Sequence, residues 1–340
     1  MKNKTKQDIS KNTSEKLNNF PHSGGRGPIL VKIAILGIGG VGGYFGGKLA
    51  RKYDVTNEFV KIYFIARGEH LLAIKKNGLD VITDDEEFTA FPTLATDKPA
   101  EIGICDFLII TTKSYDLKSS IENIKPCIGE NTVILPLLNG GNISEKIREI
   151  LPTNNVWDGL SYIVSRKTAP GIIRTSGIYH KMTFGNVFND EKRLESFEKL
   201  VKDAEIDGTW SKDIRKSVWQ KFYFISVSAS LTSYFDVSFN DIVTQEGIKE
   251  FTEEFADEFL QVAQSEGVNL DEKDKQDVMK RLRALPEGST ASMHSDFLQG
   301  KNTEVETLTG EIVRLAHKHH LQVPLYEKVY DKLSKNMPIG

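Results

Sequence analysis

The sequence predicts an α/β protein in which an N-terminal Rossmann-type dinucleotide-binding domain precedes a mainly helical C-terminal domain. Three observations carry that prediction. A β-branched apolar run, Val31-Lys32-Ile33-Ala34-Ile35-Leu36, breaks at a glycine cluster and continues as a helical pattern. Further apolar runs then alternate with helical stretches, the rhythm of a parallel sheet. Beyond Asp190 the period changes and long helical patterns take over. A chain of 340 residues also exceeds one average core, which favours two domains. The expected division is a disordered leader over 1–29, a dinucleotide-binding Rossmann domain over 30–189 and a helical domain over 190–340.

The first strand runs into Gly37-Ile38-Gly39-Gly40-Val41-Gly42, which fits G-x-G-x-x-G. In that pattern the first glycine permits the sharp turn, the second lets a pyrophosphate approach the backbone, and the third lets helix and strand pack closely. The N–H groups of the following helix then face the phosphates. A glycine-rich turn that binds nothing is the bland alternative. Gly42, Gly47 and Lys48 nearly spell a nucleoside-triphosphate loop, but Leu49 stands where Ser or Thr would hold magnesium.

A second strand over 59–66 is followed at once by Arg67, where an arginine accommodates the 2′-phosphate of NADP and an acidic residue would select NAD. Arg67 therefore favours NADPH over a merely solvated role. The continuous apolar run 105–112 reads as a central parallel strand, and Lys113 at its carboxyl end is placed to meet the cofactor or to remain a surface lysine. A strand over 132–138 leads to Asn139-Gly140-Gly141, a turn whose position suggests a nicotinamide-side contact. Strands and turns follow over 156–185, with Pro170-Gly171 as a hairpin signal.

In the helical half, patterns over 213–234, 245–266, 273–285, 305–319 and 325–334 are joined by one short strand near 205–209. Ser217, Lys221, Ile225 and Ala229 share one helical stripe. A lysine amid apolar neighbours either needs a partner or snorkels to solvent. Residues 288–296 read as a polar loop containing Ser292 and Asp296. Thr303 and Glu306 have capping-box spacing, which by itself explains an acidic Glu304 in a first helical turn. His317, His319 and His320 do not share a face and read as a solvated helix end.

Composition narrows the classes. A net charge of −3 argues against nucleic acid, and no apolar run is long enough to span a membrane. The segment 1–29 contains no apolar core of signal-peptide length. Cys105 and Cys127 sit in apolar surroundings without a second pair, and read as buried free thiols of a reducing, cytoplasmic setting. No metal site is expected.

With these pieces in place, the chain resembles the ketopantoate reductase (2-dehydropantoate 2-reductase) family over roughly 31–336. The matching pieces are the glycine motif, Arg67, Thr112-Lys113-Ser114, Leu138-Asn139-Gly140, Trp219-Gln220-Lys221, Ser292-Met293 with Asp296, and Glu304. The resemblance implies an NADPH-dependent reduction of a 2-oxo acid, ketopantoate to pantoate, in pantothenate biosynthesis. It implies Lys221 as general acid, Glu304 beside the reacting oxygen, Lys113 and Asn139 along the cofactor, and Asn139, Ser292 and Asp296 toward the substrate. Ile225 and Ala229 stand where the family usually carries asparagines, so two amide donors to the substrate are replaced by apolar groups. The alternatives are a related dehydrogenase with another carbonyl substrate and a non-catalytic NADPH-binding sensor. The expected partner is a small molecule, with neither nucleic acid nor membrane, and a homodimer is compatible with the reading.

Overall fold

A computed structural model describes residues 30–186 and 190–335. The expected leader lies outside the described residues. Packing divides the chain into two units, one holding residues up to 138 and 143–214, the other 139–142 and 215 onward.

The first unit contains a six-stranded, wholly parallel sheet. Its strands are β1 (Val31–Leu36), β2 (Val60–Ile65), β5 (Leu94–Thr96), β6 (Phe107–Ile110), β7 (Val133–Pro136) and β8 (Asn155–Val156), in the order β5-β2-β1-β6-β7-β8. Strand order reverses beside β1, as in doubly wound dinucleotide-binding sheets, and ligands of such sheets bind at that crevice. Leu36, Ile65, Ile110 and Pro136 end their strands in one row, so the segments that follow them leave the sheet at the same edge. Helices α1 (Gly40–Lys52), α2 (Gly68–Asn77), α3 (Leu117–Ile124) and α4 (Ile143–Ile150) alternate with these strands.

A second sheet packs on the far side of α1. It comprises β3 (Leu79–Ile82), β4 (Glu87–Ala90), the long hairpin strands β9 (Asp158–Ala169) and β10 (Ile172–Gly185), and β11 (Asp207–Trp210). Pro170 and Gly171 make the hairpin turn, with Gly171 at φ +78°. Glycines let α1 fit between the sheets. A Cβ on Gly46 would meet Phe64 at 3.1 Å on one side, while Cβ atoms on Gly43 and Gly47 would meet Ile173 at 2.5 Å and Val81 at 2.7 Å on the other. Lys48, the lysine of the near-miss triphosphate motif, pairs with Glu86.

Two features depart from the sequence reading. Helix α5 (Glu191–Asp203) has no counterpart in the expected pattern, and β11 belongs to the second sheet of the first unit. Phe197 of α5 stacks on Phe107 at 4.7 Å and meets Trp157 and Phe184 edge-on, all fully buried. Packing therefore moves the boundary drawn at 189/190 to 214/215.

The second unit is helical. Its elements are α6 (Ile214–Phe235), α7 (Asp241–Thr244), α8 (Ile248–Ser265), α9 (Glu272–Ala284), α10 (Ser292–Leu298), a π-helical turn at Glu306–Gly310, α11 (Glu311–Lys318) and α12 (Pro324–Lys335). Its core centres on stacked rings, Tyr223 on Phe259 at 4.5 Å and Phe255 on Tyr326 at 3.7 Å. Glu258 accepts hydrogen bonds from the Leu325 and Tyr326 amides, both at 2.9 Å, which caps α12. Among the described residues no helix is long and apolar enough to cross a membrane. Cys105 and Cys127 are buried and free.

Candidate active site

The glycine turn is built as its pattern requires. Gly37 adopts φ +93°, and its carbonyl accepts a hydrogen bond from Thr111 Oγ1 at 2.6 Å. A Cβ on Gly42 would lie 2.2 Å from both Gly37 O and Thr111 Oγ1, so only glycine lets α1 pack this close to β1 and β6. A Cβ on Gly39 would meet nothing within 4 Å. The turn thus leaves open space at the one glycine expected to admit a pyrophosphate. No side chain caps the α1 N-terminus, and the residues present fit a dinucleotide.

Ile38 is buried and Val41 half-buried, while Gly40 touches the second sheet. Ser165 of β9 donates to Gly40 O at 2.9 Å, and a Cβ on Gly40 would sit 2.1 Å from Ser165 O. His70 of α2 braces the neighbourhood, its Nδ1 accepting the Gly171 amide at 2.8 Å. Burial holds its pKa below the usual imidazole value, against the pull of the Ile38 backbone. Neither Ser165 nor His70 carries a sequence signal, because both act from outside the turn.

Arg67 occupies the N-cap of α2, is exposed, and follows β2 at the edge where β1 ends. Lys113 is half-buried and extended, immediately before a 3₁₀ turn at Ser114–Asp116. Both therefore belong to segments leaving the carboxyl edge of the sheet.

In the second unit, Lys221 of α6 does not snorkel. It is 7% exposed, and Nζ donates to Asn139 Oδ1 at 3.0 Å. Burial lowers its pKa to about 8, partly offset by the carboxylate of Glu304, which is itself 4% exposed. Glu304 precedes the π turn, and its carbonyl accepts from the Thr307 and Leu308 amides. The expected capping box is not formed. The Thr303 hydroxyl is buried without a hydrogen-bond partner, and Glu306 instead engages Arg314 and Tyr330.

Ile225 and Ala229 lie on the Lys221 stripe, Ile225 half-buried and Ala229 2% exposed. Ser292 and Asp296 stand on α10 rather than in a loop, Ser292 exposed and Asp296 half-buried. The helix spans seven residues. That is too short to show a period, and its serines read as loop. His317 pairs with Glu327 and His319 with Glu266, so the histidines diverge as their spacing predicts.

A Rossmann-like sheet and a helical unit holding a buried, acid-flanked ammonium define a two-unit α/β oxidoreductase. Comparison with known proteins narrows this: residues 33–189 match the family described as ketopantoate reductase PanE/ApbA, and residues 213–336 match its C-terminal part. The chain belongs to the ketopantoate reductase PanE/ApbA family. Among its relatives is an uncharacterized oxidoreductase of Bacillus subtilis, 29% identical over 306 residues, covering 89% of this chain and 98% of the relative. A 2-dehydropantoate 2-reductase of Streptococcus pyogenes is 26% identical, covering 86% of this chain and 93% of its own length. The crystal structure of 2-dehydropantoate 2-reductase from Porphyromonas gingivalis W83 superposes with a TM-score of 0.79 at 34% identity, covering 90% of this chain and 99% of that one.

Proposed function

We propose that the protein is an NADPH-dependent reductase of a 2-oxo acid, with 2-dehydropantoate as the leading substrate and pantoate as product. The observation that carries this reading is Lys221, a buried ammonium with an amide acceptor and a carboxylate to sustain its charge. Reduced nicotinamide supplies the hydride. As it reaches the carbonyl carbon, negative charge develops on the oxygen, and Lys221 gives that oxygen its proton. A donor with a pKa of about 8 is well matched to neutral pH, since it is mostly protonated yet readily gives its proton up.

In this reading Gly37 through Gly42 seat the pyrophosphate, Arg67 takes the 2′-phosphate, and Lys113 and Asn139 line the cofactor. Glu304 keeps Lys221 charged, while Ser292 and Asp296 hold the substrate. NADPH turnover against a panel of 2-oxo acids, with Lys221→Ala as control, tests the proposal. Binding of NADPH without turnover of any member refutes it.

A second reading, a relative acting on another carbonyl compound, draws on the apolar face offered by Ile225 and Ala229 beside Lys221. Ile225→Asn with Ala229→Asn distinguishes the two. Raised turnover of 2-dehydropantoate supports the first reading, and no gain supports the second.

A further inference from the structure

The segment bearing Asn139 packs with the helical unit, although it follows β7 directly in the chain. It is pinned at three points. Asn139 Oδ1 accepts from Lys221. Gly141 lies so close to α6 that a Cβ there would be 2.4 Å from the Phe222 ring. Asn142 Nδ2 donates to Glu311 Oε1.

The third contact is unusual in kind. Glu311 is a carboxylate only 4% exposed, at the start of α11, where the π turn returns to α-helical register. Its other oxygen accepts from Arg314 Nη2 at 2.7 Å, and Arg314 is held in turn by Glu306. A buried carboxylate costs stability unless it is paired and hydrogen-bonded, and this one is both. Buried charge is a costly way to fix a loop unless the loop's position matters.

We infer that Glu311, through Asn142, is a positioning residue that holds the Asn139 side chain on the ammonium of Lys221. The inference rests on reading Lys221 as the proton donor. The groups acting on that ammonium are the Asn139 amide oxygen and the Glu304 carboxylate, while Arg314 and Glu306 face Glu311. An acceptor bound to the charged form favours it, so releasing Asn139 lowers the pKa of Lys221 by about one unit.

The test is an NMR titration of the cofactor-free protein carrying isotope-labelled lysine, with the Lys221 signal assigned by its loss in Lys221→Met. Glu311→Ala and Asn142→Ala are each expected to lower the Lys221 pKa, and with it the alkaline limb of kcat, by about one unit. Glu311→Gln retains an oxygen for the Asn142 amide and is expected to restore most of the wild-type value. If both alanine variants fold, as judged by circular dichroism, and leave the Lys221 titration unchanged, the inference is overturned. Should Glu311→Ala fail to fold, Asn142→Ala decides the matter alone. The titration reads the ammonium directly, so it is independent of whether any tested 2-oxo acid is turned over.

Discussion

The sharpest consequence of the lysine site is an alkaline limb in turnover. With a pKa of about 8, Lys221 is about nine-tenths protonated at pH 7 and about one-tenth at pH 9. If it donates the proton in the reductive step, the single-turnover rate at saturating cofactor and substrate falls about tenfold between those values. Single turnover removes product release, which could otherwise mask the limb. Glu304 favours the charged form, so Glu304→Gln should move the limb to lower pH. The same group leaves a mark on stability. Its folded pKa lies below the ordinary lysine value of 10.5, so the folded state binds protons less readily between about 8 and 10.5. The penalty is fully present below that window and is relieved as pH rises through it. The unfolding free energy of wild type relative to Lys221→Met should therefore rise by about 3 kcal/mol across the window. A single-turnover rate that stays flat to about pH 10, with Lys221→Ala as active as wild type, would refute the assignment.

Three further outcomes follow from the first unit. Gly42→Ala should cost about 1–3 kcal/mol in denaturant unfolding because its methyl collides with Gly37 O and Thr111 Oγ1, whereas Gly39→Ala should change stability by less than about 0.5 kcal/mol yet weaken NADPH binding in calorimetry. Arg67→Ala should raise KM for NADPH and leave that for NADH nearly unchanged; equal effects on both would exclude a 2′-phosphate contact. His70 has a folded pKa below its ordinary 6.5, so its contribution is intact above that value and is lost as pH falls below it. The stability advantage of wild type over His70→Gln, measured by urea unfolding, should accordingly shrink on acidification.

Much of the first unit was legible because local residues dictate local geometry. A turn needing positive φ at Gly37 and no side chain at Gly42 leaves few alternatives to glycine, and the pattern announces itself. Residues whose meaning depends on distant partners were less readable. Lys221 stood open between a buried and a snorkelling role, and its acceptor Asn139 lies 82 positions away. Glu304 had an adequate local explanation in a capping box that does not form. Helix α5 stands outside the expected pattern, and its attachment to the first unit depends on Phe197 meeting Phe184, Trp157 and Phe107, each on a separate strand or link of the first unit. The π turn interrupts a pattern that reads as one continuous helix, because an extra residue in the ladder is invisible to apolar spacing.

The helix that follows the glycine turn carries five glycines among its 13 residues, at positions 40, 42, 43, 46 and 47. Each disfavours helix relative to alanine by about 0.8–1 kcal/mol, so the segment has little tendency to coil on its own. The contacts of Gly46 with Phe64 on one sheet, and of Gly43 and Gly47 with Ile173 and Val81 on the other, supply the order that the segment lacks by itself. Its amides should then exchange with solvent together with those of β1 and β10, through opening of the whole unit.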